Sequence, residues 1–148
     1  MANPFVSTKL PPHSQILKLT IGFWYSQGLY VATKLGIPDI LSEERSGHAE
    51  GLTAEQIAAK IAAADKPVHV HSLYRLLRFL STAGVFRETP PQTAGELDAA
   101  AASGLEKKIE YHKINRFSLT PSSELLRSNM RGGLRDYVLH QVSPYEFR

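Results

Sequence analysis

The sequence predicts a mainly α-helical fold of the winged helix-turn-helix type, with a long N-terminal helix in front and a short two-stranded wing behind. Three observations predict it. The segment SQILKLTIGFWYSQGLYVATKLG, residues 14–36, carries no charged residue between Leu19 and Thr33. The stretch HSLYRLLRFLSTAGVF, residues 71–86, spaces Leu73, Leu76, Leu77 and Leu80 at i, i+3, i+4 and i+7, the period of a core-facing helix. Two short strand-like runs follow, VFRE and then RFSLT at residues 116–120. The resulting order of helix, helix, helix, strand, strand, helix is that of a winged helix-turn-helix.

Residues 1–13 have neither the apolar core nor the small-residue cleavage site of a secretory leader and read as a flexible arm. The first helix then takes Ser14 as its N-cap and stops at Gly36, just before Pro38. Its apolar residues fall all round the cylinder: Ile16, Phe23 and Tyr30 on one side, Leu17, Ile21, Trp24, Val31 and Leu35 on others. A helix apolar on every side must be covered on every side. One domain of this size covers only part of it, so a second chain is expected to cover the rest. Gly28, Ala32 and Gly36 recur at four-residue spacing, which lets another backbone approach one stripe. The run is too short to span a bilayer, which takes about 20 apolar residues, and it is bracketed by Lys18 and Lys34.

A short helix, PDILSEE, comes next, then a polar loop, RSGHAEG. LTAEQIAAKI opens with Thr53 and Gln56 in capping-box spacing, and Leu52 and Ile57 occupy the two positions of a hydrophobic staple. After a turn around AAADKP, Pro67 suits an early position of the leucine-bearing helix, and Gly84 closes that helix. Residues 90–113 form an insert between the strands, in which LEKKIEYH suits a helical turn or a hairpin arm. Thr120 and Pro121 start a helix, PSSELLRS, and GGLRDYVLHQV gives the last one. The domain therefore runs from 14 to 142.

With 148 residues, 43% hydrophobic and 21% charged, the chain has the composition of one globular domain. The absence of cysteine excludes disulfides and thiolate metal sites and fits a cytoplasmic protein. The net charge of +3 is scattered rather than blocked and names no partner. No glycine-rich phosphate cradle is present, since the one glycine pair, Gly132 and Gly133, precedes a helix rather than following a strand. Six histidines are dispersed. His69 and His71 would share a face on a strand, but a helix start sets them on different sides. Thus no catalytic, cofactor-binding or metal residues are assigned. A DNA-reading role would fall to His69, His71, Ser72, Arg75 and Arg78 on the leucine-bearing helix. Phe79, expected on the same outward side as Arg75, and the mixed-charge insert in place of a wing both disfavour it.

Taken together, GFWYSQGLYVATKLGIPDIL, LTAEQIAAKI, SLYRLLRFLSTAGVFRE and RFSLTPSSELLRS resemble the N-terminal dimerisation domain of S-adenosylmethionine-dependent O-methyltransferases. The likeness runs from about Ile16 to Val142, apart from the insert. It implies a homodimer paired through the first helix, with Ile16, Leu17, Thr20, Phe23, Trp24, Gln27, Gly28 and Val31 at the interface. It also implies that Phe23, Trp24 and Tyr30 contribute to a methyl-acceptor pocket. In the family, the S-adenosylmethionine site and the catalytic histidine belong to a Rossmann-like domain, so none of that cofactor is expected on this chain. His140 does not stand in for that histidine. Residues 143–148 read as the start of a linker, and a separate catalytic methyltransferase chain or domain is the further expected partner. Two other readings stay open: a winged-helix DNA-binding regulator, and a stand-alone accessory subunit that holds a small aromatic molecule.

Overall fold

The leucine-bearing helix forms the centre around which the rest packs. A computed structural model describes residues 11–43, 51–64, 67–90 and 114–142. In chain order the elements are α1 (Pro12–Lys34), α2 (Ile37–Glu43), β1 (Leu52–Thr53), α3 (Ala54–Ala63), α4 (Val70–Thr82), β2 (Phe86–Thr89), β3 (Arg116–Leu119), α5 (Pro121–Glu124) and α6 (Arg135–Gln141). The fold is mainly helical, with one small antiparallel sheet.

Leu73, Leu77 and Leu80 of α4 are buried, as their spacing predicts, together with Ile57 and Ile61 of α3, Ile37 of α2, and Phe86 and Phe117 of the sheet. Each such side chain contributes about 1.5–3 kcal/mol through the apolar area it removes from water. Leu76 departs from the expectation: it is half-buried and turned toward α1. α4 ends in a Schellman arrangement, with Gly84 N–H donating to the Ser81 carbonyl at 3.0 Å and Val85 N–H to the Leu80 carbonyl at 3.1 Å. Gly84 takes φ +75°, which a side chain would resist.

The capping box of α3 forms as its spacing predicts: the Thr53 hydroxyl accepts from Gln56 N–H at 3.2 Å, and Thr53 N–H donates to Gln56 Oε1 at 2.9 Å. Leu52 and Ile57, the staple pair, are both buried. The same Leu52 and Thr53 also form β1, so the expected two-stranded wing is in fact a three-stranded sheet in the order β1-β3-β2. Leu52 pairs with Phe117 and Thr53 with Arg116, while Phe86 to Thr89 run antiparallel to Leu119 back to Arg116.

Other boundaries also move. α1 starts at Pro12 with Pro11 as its N-cap, three residues before the expected cap Ser14, because proline suits a helix's first turn. α5 is only four residues long rather than the eight of PSSELLRS. Thr120 and Ser123 close a second capping box, which the sequence reading did not name. α6 starts at Arg135, after Gly132 and Gly133. The 1–10 part of the arm, the loop at 44–50, the insert beyond Pro90 with its LEKKIEYH turn, and residues 143–148 lie outside the described residues. Among the described residues, no helix is long and apolar enough to cross a membrane.

Candidate assembly interface

α1 is covered by its own chain along part of its length only. In its second half, Gly28 is buried against α4: a Cβ there would stand 3.2 Å from Leu80 Cδ2 and 3.4 Å from Leu76 Cδ1. Ala32 and Thr33 are fully buried. Tyr25 stacks on Phe79 of α4 with ring centroids 4.3 Å apart and planes 9° from parallel. Phe79 therefore turns toward α1 and does not share an outward side with Arg75, as the sequence reading had it. The small-residue stripe serves, at Gly28 and Ala32, packing within the subunit.

The first half of α1 is bare. Residues 16–20 are exposed on every side of the helix, and Phe23 and Trp24 are exposed with them, Trp24 at 63%. Among the expected interface residues, Ile16, Leu17, Thr20, Phe23, Trp24 and Val31 are thus exposed, Gln27 is half-buried and Gly28 is buried. Thr20 satisfies its hydroxyl within the helix by donating to the Ile16 carbonyl at 3.0 Å. Large apolar side chains grouped on one projecting helix are unfavourable in water, and such patches mark contact surfaces.

The three expected pocket residues separate. Phe23 and Trp24 are open, whereas Tyr30 is 8% exposed and its hydroxyl accepts from Lys34 Nζ at 3.0 Å. Three further exposed apolar side chains, which the sequence reading did not identify, are Met130, Leu134 and Tyr137 at and just before α6. α6 is held in place by Asp39 of α2, whose carboxylate accepts from Ser128 N–H at 2.8 Å, from the Ser128 hydroxyl at 3.0 Å and from Arg135 Nη1 at 3.0 Å.

On α4, His71, Arg75, Arg78 and Thr82 are exposed. Arg78 Nε lies 3.5 Å from Glu88 Oε2, and Glu88 Oε1 accepts from Asn115 Nδ2 at 2.6 Å and from the Tyr74 hydroxyl at 3.3 Å. The rings of His69 and His71 approach to 5.7 Å rather than pointing apart, because His69 is the N-cap with extended backbone and not yet helical. Among the described residues, no group of three or more metal-ligating side chains comes together.

This geometry accompanies clear likenesses to known proteins. The family model of the O-methyltransferase dimerisation domain matches residues 17–129. The chain is 37% identical over 137 residues to the phenazine O-methyltransferase PhzM of Lysobacter antibioticus, covering 92% of this chain and 30% of that protein. It is 29% identical over 116 residues to the O-methyltransferase tpcA of Aspergillus fumigatus, covering 77% of this chain and 22% of that one. The crystal structure of LaPhzM superposes with a TM-score of 0.61 at 28% identity, over 88% of this chain and 29% of that one. The structure of the pyocyanin biosynthetic protein PhzM gives a TM-score of 0.58 at 23% identity, a likeness of fold, over 90% of this chain and 30% of that one. The chain thus spans less than a third of the length of each of these relatives.

Proposed function

Because the chain belongs to the family of O-methyltransferase dimerisation domains, we propose that it joins two copies of an S-adenosylmethionine-dependent O-methyltransferase through α1 and helps to wall the methyl-acceptor pocket. The observation that carries this reading is the bare first half of α1, where Ile16, Leu17, Leu19, Phe23 and Trp24 are all exposed. An isologous interface between two copies covers such a surface twice over, since each copy offers the same patch to the other.

In this reading α3, α4 and the three strands form a winged helix-turn-helix used for pairing subunits, with α1 laid along one flank of α4. Phe23 and Trp24 are the side chains free to reach a partner's acceptor site, while Tyr30 serves packing. The acceptor is a flat aromatic hydroxyl compound of the general kind named for the phenazine O-methyltransferase. S-adenosylmethionine does not fit the described residues. Their strands are antiparallel, and they hold no glycine-rich turn from a parallel strand into a helix. The donor's site is therefore assigned to another domain or chain, and no chemical step is assigned to this one.

The test is the mass of the purified chain by light scattering, read beside calorimetry with S-adenosylmethionine. A dimer that gives no heat with the donor supports the proposal; a monomer at high concentration overturns it. One observation favours a second reading. The exposed strip of His71, Arg75 and Arg78 on α4 has the character of a DNA-contacting surface. A steep loss of duplex binding with rising salt would support that reading, whereas the pairing role expects no such binding.

A further inference from the structure

His69 and His71 come together because α4 begins between them, at Val70. Residues i and i+2 of a helix point to different sides, but His69 is the N-cap, with extended backbone at φ −77° and ψ 116°, and only His71 belongs to the helix. The two imidazole rings stand 5.7 Å apart, centre to centre, with planes 33° from parallel. Both residues are exposed. The His69 side chain does not cap α4; its Nδ1 lies 3.2 Å from the Ser72 hydroxyl instead.

We propose that His69 and His71 share a divalent transition-metal ion of the Ni²⁺, Cu²⁺ or Zn²⁺ class, held as a clip across the start of α4. Bonds of about 2.0–2.1 Å from imidazole nitrogen to metal set the ion roughly 3.2 Å from each ring centre, so two imidazoles sharing it at the tetrahedral angle have centres about 5.2 Å apart. The observed 5.7 Å is longer by about half an ångström, which a small χ rotation of two exposed rings closes. Ser72 orients the first ligand. With Nδ1–H of His69 donating to Ser72 Oγ, the Nε2 lone pair is left for the ion, and metal-bound histidines are commonly steadied in this way through their other nitrogen. Imidazole suits these ions, whereas Mg²⁺ and Ca²⁺ call for oxygen ligands.

Two protein ligands leave the remaining positions to water, and there is room for it: His69 and Ser72 edge an open notch of about 280 Å³ whose other described walls are aliphatic. The nearest cation along the helix is Arg75, one turn beyond His71 and exposed, and its long stem lets the guanidinium swing away into water. A site of this kind exchanges its ion with solvent, unlike the closed four-ligand sites that hold a fold together. It still bears on the fold. One ligand belongs to extended chain and the other to the first helical turn, so the ion binds the folded chain better than the unfolded one and stabilises the start of α4 by mass action. Because α4 packs on both α1 and α3, that gain extends to the core. The proposal stands apart from the pairing role of α1.

NiCl₂ alone is the probe, in mildly alkaline buffer, because imidazole binds metal only as the neutral base. Calorimetry on the full chain should show a single strongest site, above a background from His13, His48, His112 and His140. His69→Ala and His71→Ala should each weaken that site by more than the roughly tenfold that loss of an outer partner costs. Ser72→Ala should weaken it less, and His140→Ala should leave it unchanged. The thermal midpoint should rise with Ni²⁺ in the parent and in His140→Ala but in neither of the other two histidine variants. Equal affinity in the parent and the double variant H69A/H71A means an adventitious ion only and overturns the site. So does a loss that follows one of the two histidines alone. The unsubstituted chain gives an independent check: paramagnetic Ni²⁺ should broaden the amide NMR signals of residues 69–72 first, and broadening centred on another histidine overturns the proposal.

Discussion

Tyr25 of α1 and Phe79 of α4 stack face to face at 4.3 Å, and the Tyr25 hydroxyl lies 3.3 Å from Thr82 Oγ1. With Gly28 and Ala32, this pair sets which side of α1, whose apolar residues lie all round, meets the body. Aromatic pairs contribute about 0.5–1.5 kcal/mol beyond the area they bury. Tyr25→Ala is therefore expected to lower stability by about 2 kcal/mol. A double-mutant cycle with Phe79→Ala should return a coupling of about 1 kcal/mol in urea melts. Strictly additive losses would mean that the two rings do not support each other.

Gly51 stands where no other residue fits. It has φ +89°, and an added Cβ would run into the carbonyl oxygen of Phe117, in the middle of the sheet. Gly51→Ala should cost about 3 kcal/mol or more, through backbone strain and separation of β1 from β3. Gly22 is the contrast, with nothing within 4 Å of its added Cβ. Gly22→Ala should stabilise α1 by about 0.5–1 kcal/mol through helix propensity alone. Opposite shifts of the thermal midpoint in the two variants are the expected result.

Trp24 is the sole tryptophan and is exposed in the single subunit. Its fluorescence therefore reports assembly directly: acrylamide quenching should be weak in concentrated protein and strengthen on dilution. Trp24→Ala should weaken pairing by about 2 kcal/mol, roughly thirtyfold in Kd, as central aromatic residues do. The stability of the subunit itself should hardly change, because little of the indole is buried by its own chain. A variant that dilutes like the parent would remove Trp24 from the interface.

Asp39 ties down the last helix and the turn before it by three hydrogen bonds, two from Ser128 and one from the Arg135 guanidinium at the start of α6. Net contributions of hydrogen bonds to charged groups run to about 1.5–3 kcal/mol. Asp39→Ala is expected to cost about 2 kcal/mol, and the loss should be local. Hydrogen exchange should quicken in α6 while α3 and α4 keep their protection. Uniform acceleration across the chain would instead place Asp39 in the cooperative core.

Features written in short-range spacing were legible in the sequence. The Thr53–Gln56 box, the Leu73, Leu77 and Leu80 face, and the Gly84 stop each depend on residues within one or two turns of each other. What depended on distant partners was not. Leu52 and Thr53 read as a staple and a cap, and only Phe117 and Arg116, more than sixty residues on, make them a strand as well. The side of α1 that meets α4 was hidden because its apolar residues lie all round, so Gly28, expected at the interface between chains, is packed within one. Phe79 was misplaced for the same reason. The Asp39 clasp spans 89 residues to Ser128 and 96 to Arg135, and no local pattern marks it. Of the candidate interface, the sequence supplied the helix and most of its exposed residues, but not which stretch of α1 the body leaves bare.

That clasp also bears on the heading of α6. Asp39 sits on α2, which begins three residues after α1 ends, so the bearing of α6 is referred to the same rod that carries Trp24. In the proposed pair, α6 of each copy would take its heading from the rod that carries Trp24, so a small rotation between the two rods would swing both copies of α6 through matching arcs. The Asp39 carboxylate would thus add stiffness, beside the direct packing of α6 on α1, to the angle that the two copies of α6 make with each other.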